Sequence, residues 1–345
     1  MRDLVVAGGG PVGIAAALHA RRLGLDVVVR EPRTGPIDKA CGEGLMPGAV
    51  TELAALGVHP AGRPLSGIRY LDGASPDGAT ATFRHGPGRG VRRTVLHAAL
   101  DERLRAADVP VEHRPVEHVR DGGDHVVVDG EPARYLVAAD GLHSTVRRLL
   151  GLDAPAPARQ RFGLRCHVQQ EPWTSHVEVH WSPRAEAYVT PVADHLVGVA
   201  LLVDKGARFE DVIGDFPLLR ERLTGPMTRV MGAGPLRQQA RSRAAGRVLL
   251  AGDAGGYVDA LTGEGIALGL AQARAAVSCI AADRPEAYDR QARRLAFRHE
   301  LLTRALLRAT HHAPVRRLLV PAARRAPWLF SAAVDQLARP IEVPA

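Results

Sequence analysis

Residues 251–266 read AGDAGGYVDALTGEGI, and this stretch decides the fold that we expect of the chain. It follows an apolar run, 247–250, that predicts a strand. It precedes a periodic apolar run that predicts a helix over about 265–281. Glycines in such a turn let bare backbone N–H groups approach a ligand, and the positive end of the helix points to the same place. Asp253 follows the strand directly, where its carboxylate can accept hydrogen bonds from a polyol. The stretch therefore predicts one half of a nucleotide-type site.

The N-terminal 31 residues supply the other half of this site. Their apolar pattern predicts strands over 4–7 and 26–30 and a helix over 14–23. A glycine turn of the form G-x-G-x-x-G separates the first strand from the helix, and an acid ends the second strand. This order is the dinucleotide-binding βαβ pattern, in which a pyrophosphate sits on the helix N-terminus and the acid accepts hydrogen bonds from a ribose. The turn glycines are Gly8, Gly10 and Gly13, and the acid is Glu31.

If the chain were an NAD-dependent dehydrogenase with one such domain, we would not expect a second nucleotide-type turn about 240 residues later. The chain resembles the FAD-dependent enzymes built like aromatic hydroxylases and geranylgeranyl reductases, whose three fingerprints occur here in order. The first covers 8–31. The second is ADGLHSTVR at 139–147, which matches D-G-x-x-S-x-x-R, and the third begins at Gly252. Arg93-x-x-Leu96 at a predicted helix start is a fourth, weaker element. The resemblance spans residues 4 to about 281.

This resemblance implies an α/β fold and a bound FAD. We expect a Rossmann-type, glutathione-reductase-like FAD-binding domain, an inserted and mainly antiparallel β-sheet substrate domain, and a helical C-terminal tail. The FAD-binding domain is predicted to comprise 1–60, 91–158 and 246–283, the substrate domain 61–90 and 159–245, and the Arg-rich tail 284–345. The residues expected to bind FAD are Gly8, Gly10, Pro11, Val12, Gly13, Glu31, Lys39, Cys41, Arg93, Asp140, Gly252, Asp253, Gly263, Gly265 and Ile266.

The leading hypothesis for the reaction is monooxygenation. In that interpretation NAD(P)H reduces the flavin, and O2 then serves to hydroxylate or epoxidise a small organic substrate, typical of a tailoring step on a secondary metabolite. Two departures from aromatic hydroxylases keep an alternative open, because Ala260 stands where these usually have Pro and Ile266 where they usually have Asn. The DKACGEGL run at 38–45 and the LTGEGI wording at 261–266 look more like geranylgeranyl reductases, which favours a reductase or desaturase acting on an alkene. A non-catalytic flavin-binding or carrier-docking protein is the alternative from another class.

Cys41, Glu43 and Glu264 are the candidate catalytic residues. Cys41 and Glu43 belong to a glycine-flanked loop expected beside the flavin, where Cys41 lines the pocket or merely fills space. Glu264 lies in the first helical turn, where an acid also complements the helix dipole. Arg147, in the second fingerprint, is expected either at a phosphate or NADPH or in a surface salt bridge. In the presumed substrate sheet the candidates are Arg165, His167, His180, Trp181 and Tyr188, of which Arg165, His180 and Tyr188 are assigned to the pocket. Alternation places His180 on the opposite face from Trp181.

The positive charge is concentrated at the C-terminus. The chain of 345 residues has a net charge of +8, and 43 of its 45 basic residues are arginines. Residues 284–345 hold twelve arginines against five acids, so +7 of the total lies there. No nucleic-acid motif accompanies this charge, so we expect no nucleic-acid partner. Either the tail packs on the FAD domain with a solvated arginine face, or it docks on an acidic carrier protein or an anionic membrane.

Three widely spaced cysteines suggest neither a disulfide framework nor a metal site. Asp3 and the early strand leave no room for a signal peptide, and no run approaches the roughly 20 apolar residues of a membrane span. We therefore expect a cytoplasmic enzyme without a metal that acts on a small molecule. The identity of the substrate and the oligomeric state stay open.

Overall fold

Valine-rich strands form the centre of the first sheet. The computed structural model describes residues 1–73, 75–155 and 160–343, and elements are numbered here in chain order across the whole molecule. The first sheet has the order β18-β19-β11-β1-β2-β8, with the β9-β10 hairpin attached to β11, and its central pairs are parallel. Its strands are β1 (Arg2–Ala7), β2 (Val27–Arg30), β8 (Val111–Glu112), β9 (Val119–Asp121), β10 (Val126–Val128), β11 (Glu131–Ala138), β18 (Ala244–Ala245) and β19 (Val248–Leu250).

Both faces of this sheet are buried, which explains its continuous apolar strands. Helices α1, α3 and α7 cover one face, and Pro11 starts α1 because its fixed φ suits the first helical turn. The helices are α1 (Pro11–Arg22), α2 (Pro47–Ala55), α3 (Arg93–Arg105), α4 (Thr145–Leu149), α5 (Phe209–Val212), α6 (Pro217–Arg222), α7 (Gly265–Ala281), α8 (Tyr288–His311), α9 (Ala313–Arg325) and α10 (Pro327–Ala338).

A second sheet of seven strands has the order β16-β12-β15-β14-β13-β5-β6. Its pairs are antiparallel except for β13 and β5, which run parallel. Its strands are β5 (Gly67–Asp72), β6 (Gly78–Thr82), β12 (Arg161–Val168), β13 (His176–Trp181), β14 (Glu186–Ala193), β15 (Leu196–Asp204) and β16 (Met231–Ala233). Two small sheets hold β3 (Gly44–Leu45), β4 (Arg63–Leu65) and β7 (Gly88–Gly90), and β17 (Gln238–Gln239) with β20 (Gly256–Tyr257).

The predicted α/β fold class is confirmed: a Rossmann-type layer carries a second, mainly antiparallel sheet and a helical C-terminal region. Strands from 61–90 and from 159–245 share the second sheet. The expected division between domains at residue 158 lies outside the described residues, as do 344 and 345.

The C-terminal helices differ from the expectation that the tail packs on the FAD-binding layer. Helix α8 packs on α7, and Ile341, beyond α10, lies in the core of the FAD-binding layer, whereas α9 and α10 lie on β5 and β6 of the second sheet. The reason is that Val320, Phe330 and Val334 continue the apolar cluster on that face of the sheet. No helix in the described part of the chain is long and apolar enough to cross a membrane.

Candidate active site

The first glycine turn joins β1 to α1 by close backbone contact. Gly8 has a φ of +102°, and a Cβ there would lie 2.5 Å from the carbonyl oxygen of Ala139. A Cβ on Gly13 would lie 1.8 Å from the carbonyl oxygen of Gly8, so no side chain fits at that position. At Gly10, by contrast, a Cβ would meet open space. The N-terminus of α1 is therefore brought against the strand end, with one open side at Gly10.

Glu31 lies at the end of β2, next to this turn. Its Oε2 accepts a hydrogen bond from the backbone N–H of Gly9 at 2.9 Å, and Arg33 donates to both carboxylate oxygens. Burial raises the pKa of Glu31, but the hydrogen bonds from Arg33 and Gly9 outweigh burial and lower it below its usual value. The carboxylate is thus ionised and fixed beside the glycine turn.

The third fingerprint packs directly on the first. Gly252 has a φ of +62°, and Cβ atoms on Gly252 and Gly269 would lie 2.9 and 2.5 Å from the Val12 side chain. Gly263, with a φ of +69°, and Glu264 precede α7, which starts at Gly265, and Ile266 is partly buried behind it. The structure therefore brings the N-termini of α1 and α7 together, as the sequence predicted for the two halves of one site.

The second fingerprint also contacts this junction between α1 and α7. Asp140 Oδ2 accepts from the N–H of Val146 at 3.1 Å, whereas its Oδ1 is buried without a hydrogen-bond partner among the described residues. Arg147 is only 2% exposed and donates to the carbonyl oxygens of Ala254 and Leu142 at 3.0 and 3.1 Å. Arg147 does form the expected salt bridge, with Asp153 at 2.6 Å, but its guanidinium is buried rather than at the surface and ties the second fingerprint to the third.

The loop over 38–43 crosses the same junction. Lys39 Nζ forms an ion pair with Asp253 at 3.0 Å. Glu43 is buried with a φ of +57°, and its Oε1 accepts from the N–H of Arg93 at 2.8 Å. The Nε of Arg93 is buried without a partner among the described residues, as is expected of a cation that faces a ligand. Burial raises the pKa of the Cys41 thiol, which therefore stays protonated at neutral pH.

His167 links this loop to the second sheet, a role that sequence reasoning did not assign. Its Nε2 lies 2.6 Å from Glu43 Oε2, and its Nδ1 lies 3.2 Å from Arg165 Nη1. Arg165 also donates to Asp38. Alternation along β12 places 165 and 167 on one face, but no local pattern pairs His167 with an acid 124 positions away.

The predicted pocket set is divided between two faces of the second sheet. Arg165 is paired in register with Ala200, and Ala200 with Tyr188, so Arg165 and Tyr188 lie on the same face of the sheet. This face points toward the junction, where the Tyr188 hydroxyl donates to the carbonyl of Leu261 at 3.1 Å. His180 belongs to the other face, where it lies 3.3 Å from Glu178. The grouping of His180 with the other two is wrong, because successive side chains of β13 alternate between faces.

Tyr257 and the C-terminal helix α8 contribute groups that the sequence did not single out. The Tyr257 ring lies 3.3 Å from the position of a Cβ on Gly265, and burial, followed by the charge of Asp253, raises its pKa well above the usual value. Glu264 Oε2 lies 2.9 Å from His299 Nδ1, and the hydroxyl of Thr262 lies 3.1 Å from that of Thr303. His299 is one of fifteen histidines, so nothing in the sequence distinguishes it.

An open cleft of about 490 Å³ lies beside the loop over 38–43. Its lining includes three arginines, Arg92, Arg165 and Arg229, together with Asp38 and His167. Three guanidinium groups in one cleft suit a phosphate-bearing ligand. Among the described residues, no group of three or more His, Cys, Asp or Glu side chains could hold a metal ion.

Comparison with known proteins shows to which protein family the chain belongs. The sequence profile of the FAD binding domain family matches residues 1–203. The menaquinone reductase of Mycolicibacterium smegmatis is 32% identical over 79% of this chain and 75% of its own length. The rifampicin monooxygenase of Streptomyces venezuelae is 27% identical over 79% and 62%, and the digeranylgeranylglycerophospholipid reductase of Methanocella arvoryzae is 25% identical over 81% and 77%.

Solved structures agree on the fold. A flavoprotein/dehydrogenase from Cytophaga hutchinsonii superposes with a TM-score of 0.83 at 17% identity, covering 97% of this chain and 92% of that one. The p-nitrophenol 4-monooxygenase PnpA of Pseudomonas putida superposes with a TM-score of 0.76 at 20% identity, covering 98% and 95%. The family profile and the similarity to menaquinone reductase show that the chain belongs to the FAD-binding family of flavin-dependent oxidoreductases and monooxygenases.

Proposed function

We propose that the chain is an FAD-dependent reductase that adds two hydrogens across a carbon–carbon double bond of an apolar, prenyl-type substrate. The observation that carries the proposal is a set of proton-bearing side chains near the N-terminus of α7, which we call the predicted cofactor edge. Cys41, Tyr188 and Tyr257 carry a proton at physiological pH, as a thiol and two phenols ordinarily do, and burial raises the pKa of all three further. An apolar cluster that includes Leu142 and Leu261 adjoins them. The similarity to proteins named menaquinone reductase and digeranylgeranylglycerophospholipid reductase supports a reduction.

The residues present fit FAD. Open space at Gly10, the partnerless Asp140 Oδ1 and the buried partnerless Nε of Arg93 all lie on segments that meet at the junction. We propose that the first turn, from Gly8 through Pro11 and Val12 to Gly13, holds the pyrophosphate and that Glu31 binds the ribose of the adenosine. Asp253, which Lys39 and its loop cover, would bind the ribityl chain. The amides at Gly263, Gly265 and Ile266 would stabilise negative charge on the ring.

When bound, FAD supplies a hydride, and the protein must supply a proton. Tyr257 is the donor that we favour, because its ring abuts the start of α7 and its phenol stays neutral next to Asp253. Glu43 acts indirectly: it fixes the loop that carries Cys41 by accepting from Arg93 N–H and pairing with His167. Glu264 is tied to His299 in the same way, so neither glutamate is the proposed donor.

The proposed reductant is NAD(P)H. The arginine-lined cleft beside the loop supports this choice, since Arg92 and Arg229 suit its phosphates, whereas Arg165 pairs with Asp38 in the same cleft. The balanced reaction consumes one NAD(P)H, one proton and one double bond, and yields NAD(P)⁺ and the saturated product.

The test uses the FAD-loaded enzyme without oxygen, with NADPH and a prenylated naphthoquinone, and mass spectrometry of the product. We expect a gain of two hydrogens, one of them deuterium when the solvent is D2O. Tyr257→Phe should lower kcat by about 100-fold or more while FAD stays bound, as for loss of a general acid. Tyr135→Phe is the matched control, because that phenol lies on the inner strand β11 and bonds Asp283, which follows α7. A product that gains one oxygen atom, formed only in air, would contradict reduction.

That second outcome defines the other candidate function, monooxygenation of a small organic metabolite with NAD(P)H and O2. The observation in its favour is the similarity to rifampicin monooxygenase, which extends over most of this chain. Hydroxylases of 3-(3-hydroxyphenyl)propionate from Mycobacterium are 34% identical over 44% of the chain. The same assay repeated in air with an aromatic substrate, followed by NADPH and O2 consumption, distinguishes the two reactions.

A further inference from the structure

Three helices at the C-terminus present exposed apolar side chains to the outside. Of the ten large apolar side chains that are exposed in the described part of the chain, six lie on α8, α9 and α10. Trp328 is 73% exposed and Phe297 67%. The others are Leu301, Val315, Leu318 and Leu329. Such a concentration is unusual on a free surface and marks a place of contact.

Each of these side chains lies on the outer side of its helix, because the opposite stripe of each helix is buried. On α8, His299 and Thr303 point inward to the third fingerprint. On α9 and α10, Val320 and Phe330 pack on the second sheet. Helix α8 also packs on α9, and α9 on α10. The six exposed apolar residues and the exposed arginines of the three helices lie on the sides turned away from these contacts, and we call this set the outer helical face.

The charge of this face has one sign. Arg294, Arg308, Arg317 and Arg325 are exposed, and none of them has a carboxylate partner among the described residues. The acids of the same helices are used elsewhere. Asp289 pairs with Arg293, Glu300 bridges Arg243 and Arg304, and Asp335 lies 3.3 Å from His85. The face thus combines apolar side chains with unneutralised positive charge.

We propose that the outer helical face docks the enzyme on the surface of an anionic lipid bilayer. An interfacial helix requires large apolar side chains on one face with arginines around them, which is the arrangement on α8 and α9. Trp328 suits the headgroup region, where its ring is apolar and its N–H meets water. A second copy of the chain is a poor occupant, since a symmetric contact would bring the unpaired arginines of both copies together. This docking proposal does not depend on which reaction the active site performs.

The first experiment is flotation of the FAD-loaded protein with vesicles of phosphatidylcholine alone or with added phosphatidylglycerol. We expect binding only to the anionic vesicles, and loss of binding in 1 M salt, where the screening length is about 3 Å. Each arginine near such a surface contributes about fivefold to the partition coefficient, so Arg294→Gln with Arg308→Gln should lower it about 30-fold. Arg120→Gln with Arg220→Gln, which removes the same charge from other exposed sites, should leave it unchanged.

Tryptophan fluorescence gives an independent readout of apolar contact. The chain has three tryptophans, and Trp328 is far more exposed than Trp173 or Trp181. Anionic vesicles should shift the wild-type emission to shorter wavelength, and Trp328→Phe should abolish the shift. Phe297→Ser should weaken flotation, whereas Met227→Ser, at a residue exposed on another surface, should not.

Three results would overturn the proposal. The first is failure of the wild-type protein to float with anionic vesicles at low salt. The second is equal loss of flotation in the face variants and their controls. The third is a wild-type dimer, seen by analytical ultracentrifugation, that the face variants dissociate, because the face would then be covered by a second copy. Unchanged FAD content and melting temperature in each variant establish that it is folded.

Discussion

Single buried charges hold the predicted active site together. Arg147 reaches the carbonyl oxygen of Ala254 from the second fingerprint, and Glu43 reaches His167 across the gap between the sheets. Glu43 does so from a left-handed backbone conformation that costs energy for a residue with a side chain. Such a conformation persists only where the surroundings enforce it, and here two hydrogen bonds to the carboxylate do so. Buried ion pairs contribute little net stability but make the loss of one partner costly.

We expect titration of Asp259 to make the stability of the protein depend on pH. Burial raises the pKa of Asp259 to about 6, although the nearby Arg161 opposes the shift. The fold therefore favours the protonated acid. Its contribution to the free energy of unfolding is complete below about pH 4 and is lost as the pH rises through about 6.

Urea unfolding of the wild type and of Asp259→Asn at pH 4, 5, 6 and 7 measures this contribution, since the amide does not titrate. The wild type should lose about 2 kcal/mol relative to the variant across that range. Asp194→Asn, at a largely exposed acid, is the control and should show a difference that hardly changes with pH. A wild-type advantage that grows with pH would refute the assignment.

At the level of elements, the junction depends on two helices that begin at glycine turns. Val12 on α1 lies against Gly252 and Gly269, so α1 and α7 approach more closely than side chains at those positions would allow. The parallel strands β1 and β19 end at the same edge of the first sheet, which places both turns together. The carboxyl ends of parallel strands are where such folds bind ligands.

Two substitutions in the first turn should separate folding from cofactor binding. At Gly10 the backbone is extended and a Cβ meets open space, so Gly10→Ala should change the stability of the FAD-free protein by less than about 0.5 kcal/mol. At Gly13 a Cβ would overlap the Gly8 carbonyl, so Gly13→Ala should cost about 2 kcal/mol or more. Both variants should bind FAD more weakly, but only the second should melt at a lower temperature. Unchanged FAD affinity in Gly10→Ala would show that the turn does not face the cofactor.

The local sequence pattern predicted where helices and strands lie better than it predicted which distant residues contact each other. The βαβ unit and helix α7 follow from periodicity and glycine placement, and the observed bounds of α7 are the expected 265–281. The pairing of Glu43 with His167 joins residues 124 positions apart, and alternation specifies only the face that His167 occupies. The tail was expected to pack on the FAD-binding layer. An amphipathic stripe, however, specifies only that a helix is buried on one side and not what covers it. Helices α9 and α10 pack on the second sheet.

At the scale of the molecule, distant segments converge on one junction. Turns near residues 8, 140 and 252 belong to the first sheet, the loop over 38–43 bridges to the second sheet through Asp38 and Glu43, and α8 closes the third turn from the far end of the chain. The C-terminal helices therefore have two sides with separate roles. Their inner sides contact the predicted cofactor edge and the second sheet, and their outer sides form the outer helical face.

This convergence makes FAD retention depend on α8. His299 and Glu264 are both buried, and Glu264 immediately precedes the first turn of α7, whose amides are predicted to face the flavin. His299→Leu leaves that carboxyl group without its partner, which should cost about 1–3 kcal/mol and weaken FAD binding. His299→Gln keeps a side-chain donor and should recover part of the affinity. Thermal melting and FAD titration measure both effects.

Thr310→Val is the matched control on the same helix. Thr310 is buried like His299, but within the described part of the chain its hydroxyl bonds only to carbonyls of its own helix, at Leu306 and Leu307. Its loss should lower the melting temperature slightly and leave the affinity for FAD unchanged, because it makes no contact with the third turn. If His299→Leu and Thr310→Val weakened FAD binding equally, α8 would act through general stability alone. Weaker binding in His299→Leu alone would show that α8 holds the cofactor edge in place through this one histidine.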